Sequence, residues 1–355
     1  MDIFKYMTEH GHEQLIFRHD QQSGLKAIIS IHDSSPGVAL GGVRYKAYAS
    51  EEEAIIDALR LSEAMTYKFA GAGLNHGGAK AVIIKHEGIR SRKEVFKSFG
   101  RLVESLQGRF GTGEDVGTNP EDMAVIATET KHVFGIPEAL GGEGDPSPIT
   151  ALGVYQGIRA GLEEAFGSDR VAGKVIAIQG CGNVGRHLAR YLHEQGGRLV
   201  VSDLLEEQAQ QTAKEFNATV VNPEQIYEVA CDVFAPCALG AILNDRTIPR
   251  LKCRIVGGGA NNQLSDAVDG RMLHERGILY LPDFIINAGG VIFLTHGLRG
   301  RSRAESLEET KNIYHTLKNL IEISKREKIA TSEAALMLAR RRLAQDKNSF
   351  SHQQA

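Results

Sequence analysis

Two helices are predicted in the first part of the chain. Residues 50–71 carry apolar side chains three and four positions apart, and Ser50 followed by Glu53 is the signature of a capping box. A second helix is predicted to follow Asn119, with Pro120 at its first position and acidic residues next. Apolar runs elsewhere in this part predict strands, at 25–32 and 81–85.

The pattern changes after a segment rich in glycine and proline, residues 135–149, where a domain boundary is predicted. Beyond it, short apolar runs alternate with helical patterns, and the runs that predict strands are 174–180, 198–203, 218–221, 231–237, 254–260 and 278–283. Such alternation predicts a parallel sheet covered by helices on both faces. The tail from about Ala304 predicts two amphipathic helices, one carrying Ile313 and Leu317 and the other following Thr331.

Composition narrows the class of protein. With 355 residues the chain exceeds the size at which one core usually stops growing, so two domains are expected. A net charge of −3 favours neither nucleic acid nor an anionic membrane, and no apolar run is long enough to cross a bilayer. The four cysteines form no C-x-x-C pair, which indicates neither disulfides nor a metal site and favours a reducing cytoplasm.

A dinucleotide-binding fingerprint lies in IQGCGNVG. Gly180, Gly182 and Gly185 have G-x-G-x-x-G spacing, follow a predicted strand and precede a predicted helix. Asp203 ends the next strand, where a carboxylate accepts hydrogen bonds from ribose hydroxyls and repels the extra phosphate of NADP. The predicted cofactor is therefore NAD, and Cys181 is interpreted as a residue that fits the turn.

Polar residues in apolar or glycine-rich settings suggest a second half of the site. Lys80 follows two glycines in GLNHGGAKAVII, and taken alone this stretch could be a turn with a lysine at its edge. Lys68 and Asp115 change that interpretation, because two lysines and an aspartate beside a dinucleotide domain suit an amino acid. One lysine can pair with a carboxylate, and the other, partly desolvated, can act as a base.

The chain resembles the glutamate/leucine/phenylalanine/valine dehydrogenase family, most closely its leucine dehydrogenase branch, from about His12 to Arg342. The strings that carry the resemblance are AIISIHD, PGVALGG, RLSEAMTYK, GLNHGGAKAVII, EDVGTN, GDPSPITALGV, IQGCGNVG, DVFAPCALG, GGANNQL and PDFIINAGG.

The resemblance implies a role for each matching residue. Lys80 would be the catalytic base, Asp115 would assist proton transfer, and Lys68 would bind the substrate carboxylate. Other residues implied for the substrate are Gly41, Gly42, Met65, Leu40, Gly113, Val291, Leu294 and Asn262, with Asn261 as the alternative to Asn262. Residues implied for the cofactor are Thr150, Gly180, Cys181, Gly182, Asn183, Val184, Gly185, Asp203, Ala238, Leu239, Gly259, Ala260, Asn261 and Asn287.

The resemblance also implies a fold and a reaction. The fold would be α/β with two domains separated by a cleft. Residues 1–135 with 331–355 would form a substrate-binding and oligomerisation domain, and residues 136–330 a Rossmann-type doubly wound NAD domain. The reaction would be reversible oxidative deamination of an L-amino acid to a 2-oxo acid and ammonia, in a homo-oligomer, either octamer or dimer.

The expected substrate is apolar. The resemblance implies that Leu40 and Leu294 occupy the two wall positions that decide whether the pocket is charged, and both would leave the γ-carboxylate of glutamate unpaired. At position 113, glycine is the residue type of the phenylalanine enzymes. At position 291, valine is the type of the leucine enzymes. Phe293 matches neither branch. Leucine and other branched-chain amino acids are favoured, with aromatic amino acids as the alternative. A catalytically silent NAD-binding regulatory protein would be expected to lose Lys68, Lys80 or Asp115. His76 is assigned no role, and the interpretation offered for it is a surface residue at the turn.

Overall fold

The computed structural model describes residues 2–142, 144–298 and 300–351, with the side chains of 346–351 left aside. The chain forms two compact units, Met1–Asp145 with Ala339–Ala355, and Pro146–Leu338. Among the described residues, no helix has both the length and the apolar character needed to cross a membrane.

The first unit is built on a five-stranded mixed sheet with strand order β1-β2-β4-β3-β5. The strands are β1 Gln14–Asp20, β2 Leu25–Asp33, β3 Ala39–Lys46, β4 Gly77–Ile84 and β5 Phe110–Glu114. β2 is antiparallel to β1 and β4, whereas β3 is parallel to β4 and β5. The helices are α1 Ile3–His10, α2 Glu51–Ala72, α3 Arg92–Ser105 and α4 Pro120–Ala127.

Both predicted helix starts are confirmed. The Ser50 side chain accepts a hydrogen bond from the backbone N–H of Glu53, but the Glu53 carboxylate accepts from Ala49 rather than from Ser50, so the reciprocal half of the predicted box is displaced by one residue. Asn119 caps α4, with Pro120 at its first position and a complete capping box to Asp122.

Side chains of β4 alternate between two cores. Ala79, Ala81 and Ile83 pack with residues of α3 and α4, whereas Val82 packs with Ala58 and Leu59 of α2. Because successive strand residues point to opposite faces, Lys80 shares the α2 face with Val82.

The predicted start of β4 at Ala81 is wrong, because the strand begins at Gly77 and contains Lys80. A Cβ atom on Gly77 would overlap the carbonyl oxygen of Asp33, and one on Gly78 would overlap the backbone nitrogen of Thr66 in α2. The two glycines therefore do not form a turn. They let β2 and α2 approach the strand closely.

The second unit is built on a six-stranded parallel sheet with strand order β11-β10-β9-β6-β7-β8. Its strands are β6 Val175–Gln179, β7 Arg198–Ser202, β8 Thr219–Val220, β9 Val233–Pro236, β10 Ile255–Val256 and β11 Leu279–Tyr280. Numbered within this unit and read from the β8 edge, the order is 3-2-1-4-5-6, the doubly wound Rossmann order. The predicted parallel α/β fold is confirmed.

The helices of this part of the chain are α5 Ser147–Phe166, α6 Asn183–Glu194, α7 Glu206–Phe216, α8 Ala267–Glu275, α9 Asp283–Ile286, α10 Gly289–Leu298, α11 Arg303–Lys311, α12 Ile313–Glu327 and α13 Thr331–Ser351. The two helices predicted for the tail are α12 and α13, but α11 precedes them as a separate helix. Ser302 and Glu305 form a capping box at its start, a sequence signal that the prediction passed over.

Replacing Gly78 by alanine should lower the free energy of unfolding by about 1–3 kcal/mol, because the added methyl group would push α2 away from β4. Urea denaturation measures the change. Gly182→Ala is the matched control, since no atom lies within 4 Å of the added carbon there. Equal stability of Gly78→Ala and the unsubstituted protein would contradict the close contact between α2 and β4.

Candidate active site

Lys80 and Asp115 form a buried ion pair in the first unit. Lys80 Nζ lies 3.0 Å from Asp115 Oδ1, and the side chain of Lys80 is only 7% exposed. Lys80 projects from β4, and Asp115 follows β5 directly. The sequence prediction that these two residues belong together agrees with this geometry.

The backbone around Asp115 is fixed by Thr118. The N–H of Asp115 donates to the Thr118 hydroxyl at 2.8 Å, and the hydroxyl donates in turn to the carbonyl oxygens of Asp115 and Val43. Gly42 allows the approach from β3, because a Cβ atom there would overlap the carbonyl oxygen of Glu114 and lie 3.0 Å from the Cβ of Asp115. The Thr118 hydroxyl therefore holds the backbone of Asp115, and Gly42 lies close on the other side.

Arg44 binds the other oxygen of the same carboxylate. Its Nε donates to Asp115 Oδ2 at 2.7 Å, and its terminal nitrogen donates to Asp57 Oδ2 at 2.8 Å. Tyr48 donates to that Asp57 oxygen at 2.7 Å. Sequence reasoning missed Arg44 and Asp57, although an arginine inside the apolar run of β3, two residues after Gly42, was a usable signal.

The charges of this cluster shift one another's ionisation. Burial lowers the pKa of Lys80 below the ordinary lysine value of 10.5, although Asp115 partly offsets it. Burial by itself would raise the pKa of Asp115, but Lys80 and Arg44 outweigh that effect and hold it below 3.8. The site therefore combines an ionised carboxylate with a lysine that loses its proton unusually easily.

Lys68 and Met65 lie on α2, the helix that packs on the Lys80 face of the sheet, and both are partly buried. Gly41 contacts β4, since a Cβ atom on it would overlap the carbonyl oxygen of Ala79. These three residues thus lie on the elements that surround Lys80.

Leu40 and Gly113 both make close contacts within the first unit. Leu40 is 1% exposed and packs over Gly111. A Cβ atom on Gly113 would overlap the ring of Phe134, so the space that glycine was expected to leave for a large substrate is filled by a side chain of the same unit. Phe134 follows β5 by many residues, and no local sequence pattern points to this contact.

The interpretation of His76 as a surface residue is wrong. Its side chain is buried, with the ring centroid 5.7 Å from that of Phe69. It lies between the end of α2 and the start of β4, and its packing helps to support the strand that carries Lys80.

The glycine loop of the second unit has the predicted geometry. Gly180 has φ +100°, a conformation that favours glycine, and a Cβ atom on Gly185 would overlap the carbonyl oxygen of Gly180. Gly182 caps α6 without a side-chain bond and has open space around it. Asn183 and Val184 begin α6, where backbone N–H groups lack helical partners.

Asp203 ties the loop to the end of β7. Its carboxylate accepts from the backbone N–H of Cys181 at 2.7 Å and from that of Leu205 at 2.8 Å. Cys181 is buried, and burial raises the pKa of its thiol to about 11, which agrees with a packing role in the turn.

Other residues predicted for the cofactor meet at the carboxyl ends of neighbouring strands. Ala238 and Leu239 follow β9, and Gly259 follows β10 and packs against Val184. The edge between β6 and β9 is the switch point where ligands bind in doubly wound sheets. Asn287 donates to Asn261 Oδ1 at 2.8 Å and to the carbonyl oxygens of Gly259 and Ala260.

The remaining predicted residues of this unit lie on α5, on α10 and in the loop after β10. Thr150 donates to the Pro146 carbonyl oxygen at 3.1 Å, and a Cβ atom on Gly290 would lie 2.6 Å from its hydroxyl. Asn262 is exposed with φ +52°. Val291 and Leu294 are partly buried on α10, whereas Phe293 is buried beneath the guanidinium of Arg303. Among the described residues, no cluster of three or more His, Cys, Asp or Glu side chains could hold a metal ion.

Family models match most of the chain. The Glu/Leu/Phe/Val dehydrogenase dimerisation domain matches residues 12–132, and the glutamate/leucine/phenylalanine/valine dehydrogenase domain matches residues 141–205 and 201–349. The chain therefore belongs to the glutamate/leucine/phenylalanine/valine dehydrogenase family. It is an amino-acid dehydrogenase.

Individual relatives cover nearly the whole chain. Leucine dehydrogenase from Bacillus cereus is 51% identical over 99% of this chain and 96% of its own length. Phenylalanine dehydrogenase from Caldalkalibacillus thermarum is 44% identical over 94% of this chain and 91% of its own. The crystal structure of L-tryptophan dehydrogenase from Nostoc punctiforme superposes with a TM-score of 0.88 at 44% identity, over 97% of this chain and 99% of that one.

Lys80 should titrate below the ordinary lysine value, because burial disfavours its ammonium form. Asp115→Asn should lower its pKa further, since the variant loses the carboxylate that favours the charged form. NMR titration of isotope-labelled lysine side chains measures both, and the Lys80→Ala variant assigns the resonance. A Lys80 resonance that titrates at the ordinary value would contradict this account.

Proposed function

We propose that the chain catalyses reversible, NAD-dependent oxidative deamination of an apolar L-amino acid to its 2-oxo acid and ammonia. Leucine and other branched-chain amino acids are the favoured substrates. The observation that carries the proposal is the buried pair of Lys80 and Asp115, 3.0 Å apart, at a position where Gly42 lets β3 approach Asp115 closely.

Lys80 acts as the general base. Burial lowers its pKa and so favours the neutral amine, which can take a proton from an attacking water. After hydride removal from Cα leaves an iminium, water adds to that carbon and gives a proton to Lys80. Asp115 receives the proton across the ion pair and passes it to the nitrogen. The carbinolamine then loses ammonia as its hydroxyl gives its proton to Lys80, and the ketone forms.

The substrate carboxylate needs a cation and donors. We assign these to Lys68 of α2 and to the backbone at Gly41 and Gly42, with Met65 beside them. An ammonium on a helix that packs on the Lys80 face can anchor one end of the amino acid while the other end meets the base. Both asparagines after β10 are exposed. Asn261 is held by Asn287, so Asn262 is the candidate for the substrate.

The glycine loop fits a dinucleotide. Gly182 is open where a side chain would stand, and the first turn of α6 presents free N–H groups suited to a pyrophosphate. We assign Gly180, Cys181, Asn183, Val184 and Gly185 to the same loop. Thr150, Ala238, Leu239, Gly259, Ala260, Asn261 and Asn287 complete the set proposed to hold the cofactor. Bound there, NAD supplies a hydride acceptor.

NAD is favoured over NADP because of Asp203. Its carboxylate would repel a ribose phosphate, and the exposed residues that follow, Leu204 and Leu205, provide no cation to hold one. The hydrogen bonds from Cys181 and Leu205 keep this carboxylate at the end of β7, where a ribose is expected.

The apolar walls favour a branched-chain side chain. Neither Leu40 nor Leu294 could pair with a γ-carboxylate, so glutamate is disfavoured. Phe134 removes the extra room expected beside Gly113, which weakens the case for a large aromatic substrate. Aromatic amino acids remain the second candidate because relatives named phenylalanine and L-tryptophan dehydrogenase are 44% and 45% identical to this chain.

We further propose a homo-oligomer, either an octamer or a dimer, in the cytoplasm. β1 is an edge strand with Phe17 57% exposed, which suits pairing with another copy. The cysteines are free thiols, which suits a reducing compartment. Residues 1–135 with 331–355 are proposed to bind substrate, and residues 136–330 to bind NAD.

L-leucine should reduce NAD faster than L-phenylalanine, and L-glutamate should give no reaction, as followed by the absorbance of reduced nicotinamide. Lys80→Ala should lower kcat by about 100-fold or more, because general base catalysis is lost. The matched control is Lys85→Ala, which removes an exposed lysine just beyond the same strand and should leave kcat unchanged.

Absence of reduced nicotinamide with every amino acid would contradict the enzymatic proposal. Faster reaction with L-phenylalanine would contradict the substrate assignment alone. Full activity in Lys80→Ala would contradict the role of the base.

Gly182→Ala should weaken NAD binding by roughly 10–100-fold, because the added carbon enters the space that the pyrophosphate needs at a cost of about 1–3 kcal/mol. Calorimetric titration of the purified variant measures the dissociation constant. Its free energy of unfolding should be unchanged, which separates lost binding from lost structure. Unchanged affinity for NAD would place the cofactor away from this loop.

A further inference from the structure

Arg44 lies behind the reacting pair and joins it to a second carboxylate. Its guanidinium donates to Asp115 through Nε at 2.7 Å and to Asp57 through a terminal nitrogen at 2.8 Å. We propose that Arg44 is a positioning residue, which fixes the Asp115 carboxylate against Lys80 and is itself fixed by Asp57 and Tyr48. This role rests on the reaction proposed above.

The guanidinium is anchored on both sides. The side chains of Arg44 and Asp57 are 16% and 12% exposed, and the Tyr48 hydroxyl donates to Asp57 at 2.7 Å. A guanidinium is planar and presents its donors in a fixed fork, so contacts with two carboxylates define its orientation. Asp57 is on α2 and Arg44 on β3, so the orientation of Asp115 depends on the packing of α2 against the sheet.

Arg44 also affects the ionisation of both reacting groups. Its positive charge helps to hold the pKa of Asp115 low and to lower the pKa of Lys80. The charged groups that act on Lys80 are Asp115 after β5, Arg44 on β3 and Asp57 on α2. Asp57 acts with the opposite sign to Arg44, because its negative charge raises the pKa of Lys80.

These opposite signs separate positioning from simple structural support. An arginine whose charge did not reach the reacting pair would affect folding, and its loss would lower activity with no ordered change in pH dependence. In contrast, a positioning charge predicts that removing Arg44 and removing Asp57 shift the ionisation of Lys80 in opposite directions while both lower turnover.

The test compares Arg44→Met with Asp57→Asn in the full chain. The acid limb of the kcat/KM profile for L-leucine and NAD reports the ionisation of the base. Arg44→Met should move this limb up by about one pH unit, because the cation that disfavours protonated Lys80 is lost. Asp57→Asn should move it down. Both should lower kcat by up to about 100-fold, because Asp115 is no longer held in position.

A conservative variant guards against a folding defect. Arg44→Lys retains the charge but not the planar fork. The midpoint of its acid limb should therefore equal that of the unsubstituted protein, while its kcat stays low. Arg101→Met is the control for loss of an arginine of this unit, since it removes only an exposed pair with Glu129 and should leave both kcat and the limb unchanged.

Glu114→Gln excludes a second titrating group. Partial burial and the carboxylates of Glu121, Asp122 and Asp145 raise the pKa of Glu114 to about 7, so its own ionisation could be mistaken for that of the base. The acid limb of the kcat/KM profile should still be present in Glu114→Gln.

An independent readout is the NMR titration of Lys80 in the protein without substrate. The pKa of Lys80 should rise in Arg44→Met and fall in Asp57→Asn. Shifts in the same direction, or no shifts in folded variants, would overturn the role of Arg44. If the opposite shifts occur but no amino acid reduces NAD, the cluster has the proposed electrostatics and the proposed reaction is wrong.

Discussion

The ion pair between Lys80 and Asp115 is the interaction on which the first unit depends. A lysine inside a strand, facing a helix, cannot stay charged in that environment without a partner. Asp115 can be that partner only if β3, β4 and the end of β5 approach one another closely. The glycines of β3 and β4 permit this approach, since a side chain at Gly42 or Gly78 would collide with Glu114 or Thr66.

Close approach of backbone segments in the second unit also depends on glycines. Gly185 brings α6 against the loop, Gly180 turns the chain at φ +100°, and Gly182 alone is left without a neighbour. Two of the three glycines are therefore required by packing of the protein itself. The third has no structural reason to lack a side chain, which is why its open surroundings are informative about a ligand.

The elements that depend on local chemistry could be predicted from the sequence. The caps at Ser50 and Asn119 and the alternation of strands and helices required only short-range patterns, whereas the Rossmann fold was implied by the family resemblance. Prediction failed where the deciding contact is remote. Taken alone, Gly77 and Gly78 left the turn open as an interpretation, because Asp33 and Thr66, which explain them, are distant in sequence. The contacts of Phe134 with Gly113 and of Arg44 with Asp57 are tertiary in the same sense.

Charges alternate in sign from Lys80 through Asp115 and Arg44 to Asp57. A carboxylate suits the position of Asp115 because it lies between the two cations. With Lys80 protonated, two cations balance two anions. Once Lys80 has lost its proton, the cluster carries one net negative charge. On the proposed reaction, that is the state in which the base is active and the substrate nitrogen becomes part of a positively charged iminium. The cluster therefore stabilises positive charge at the reacting carbon and nitrogen when the base is ready to accept a proton. Without Arg44 the negative charge would be larger, but it would hold the proton on Lys80 more strongly, so the second cation keeps the base available.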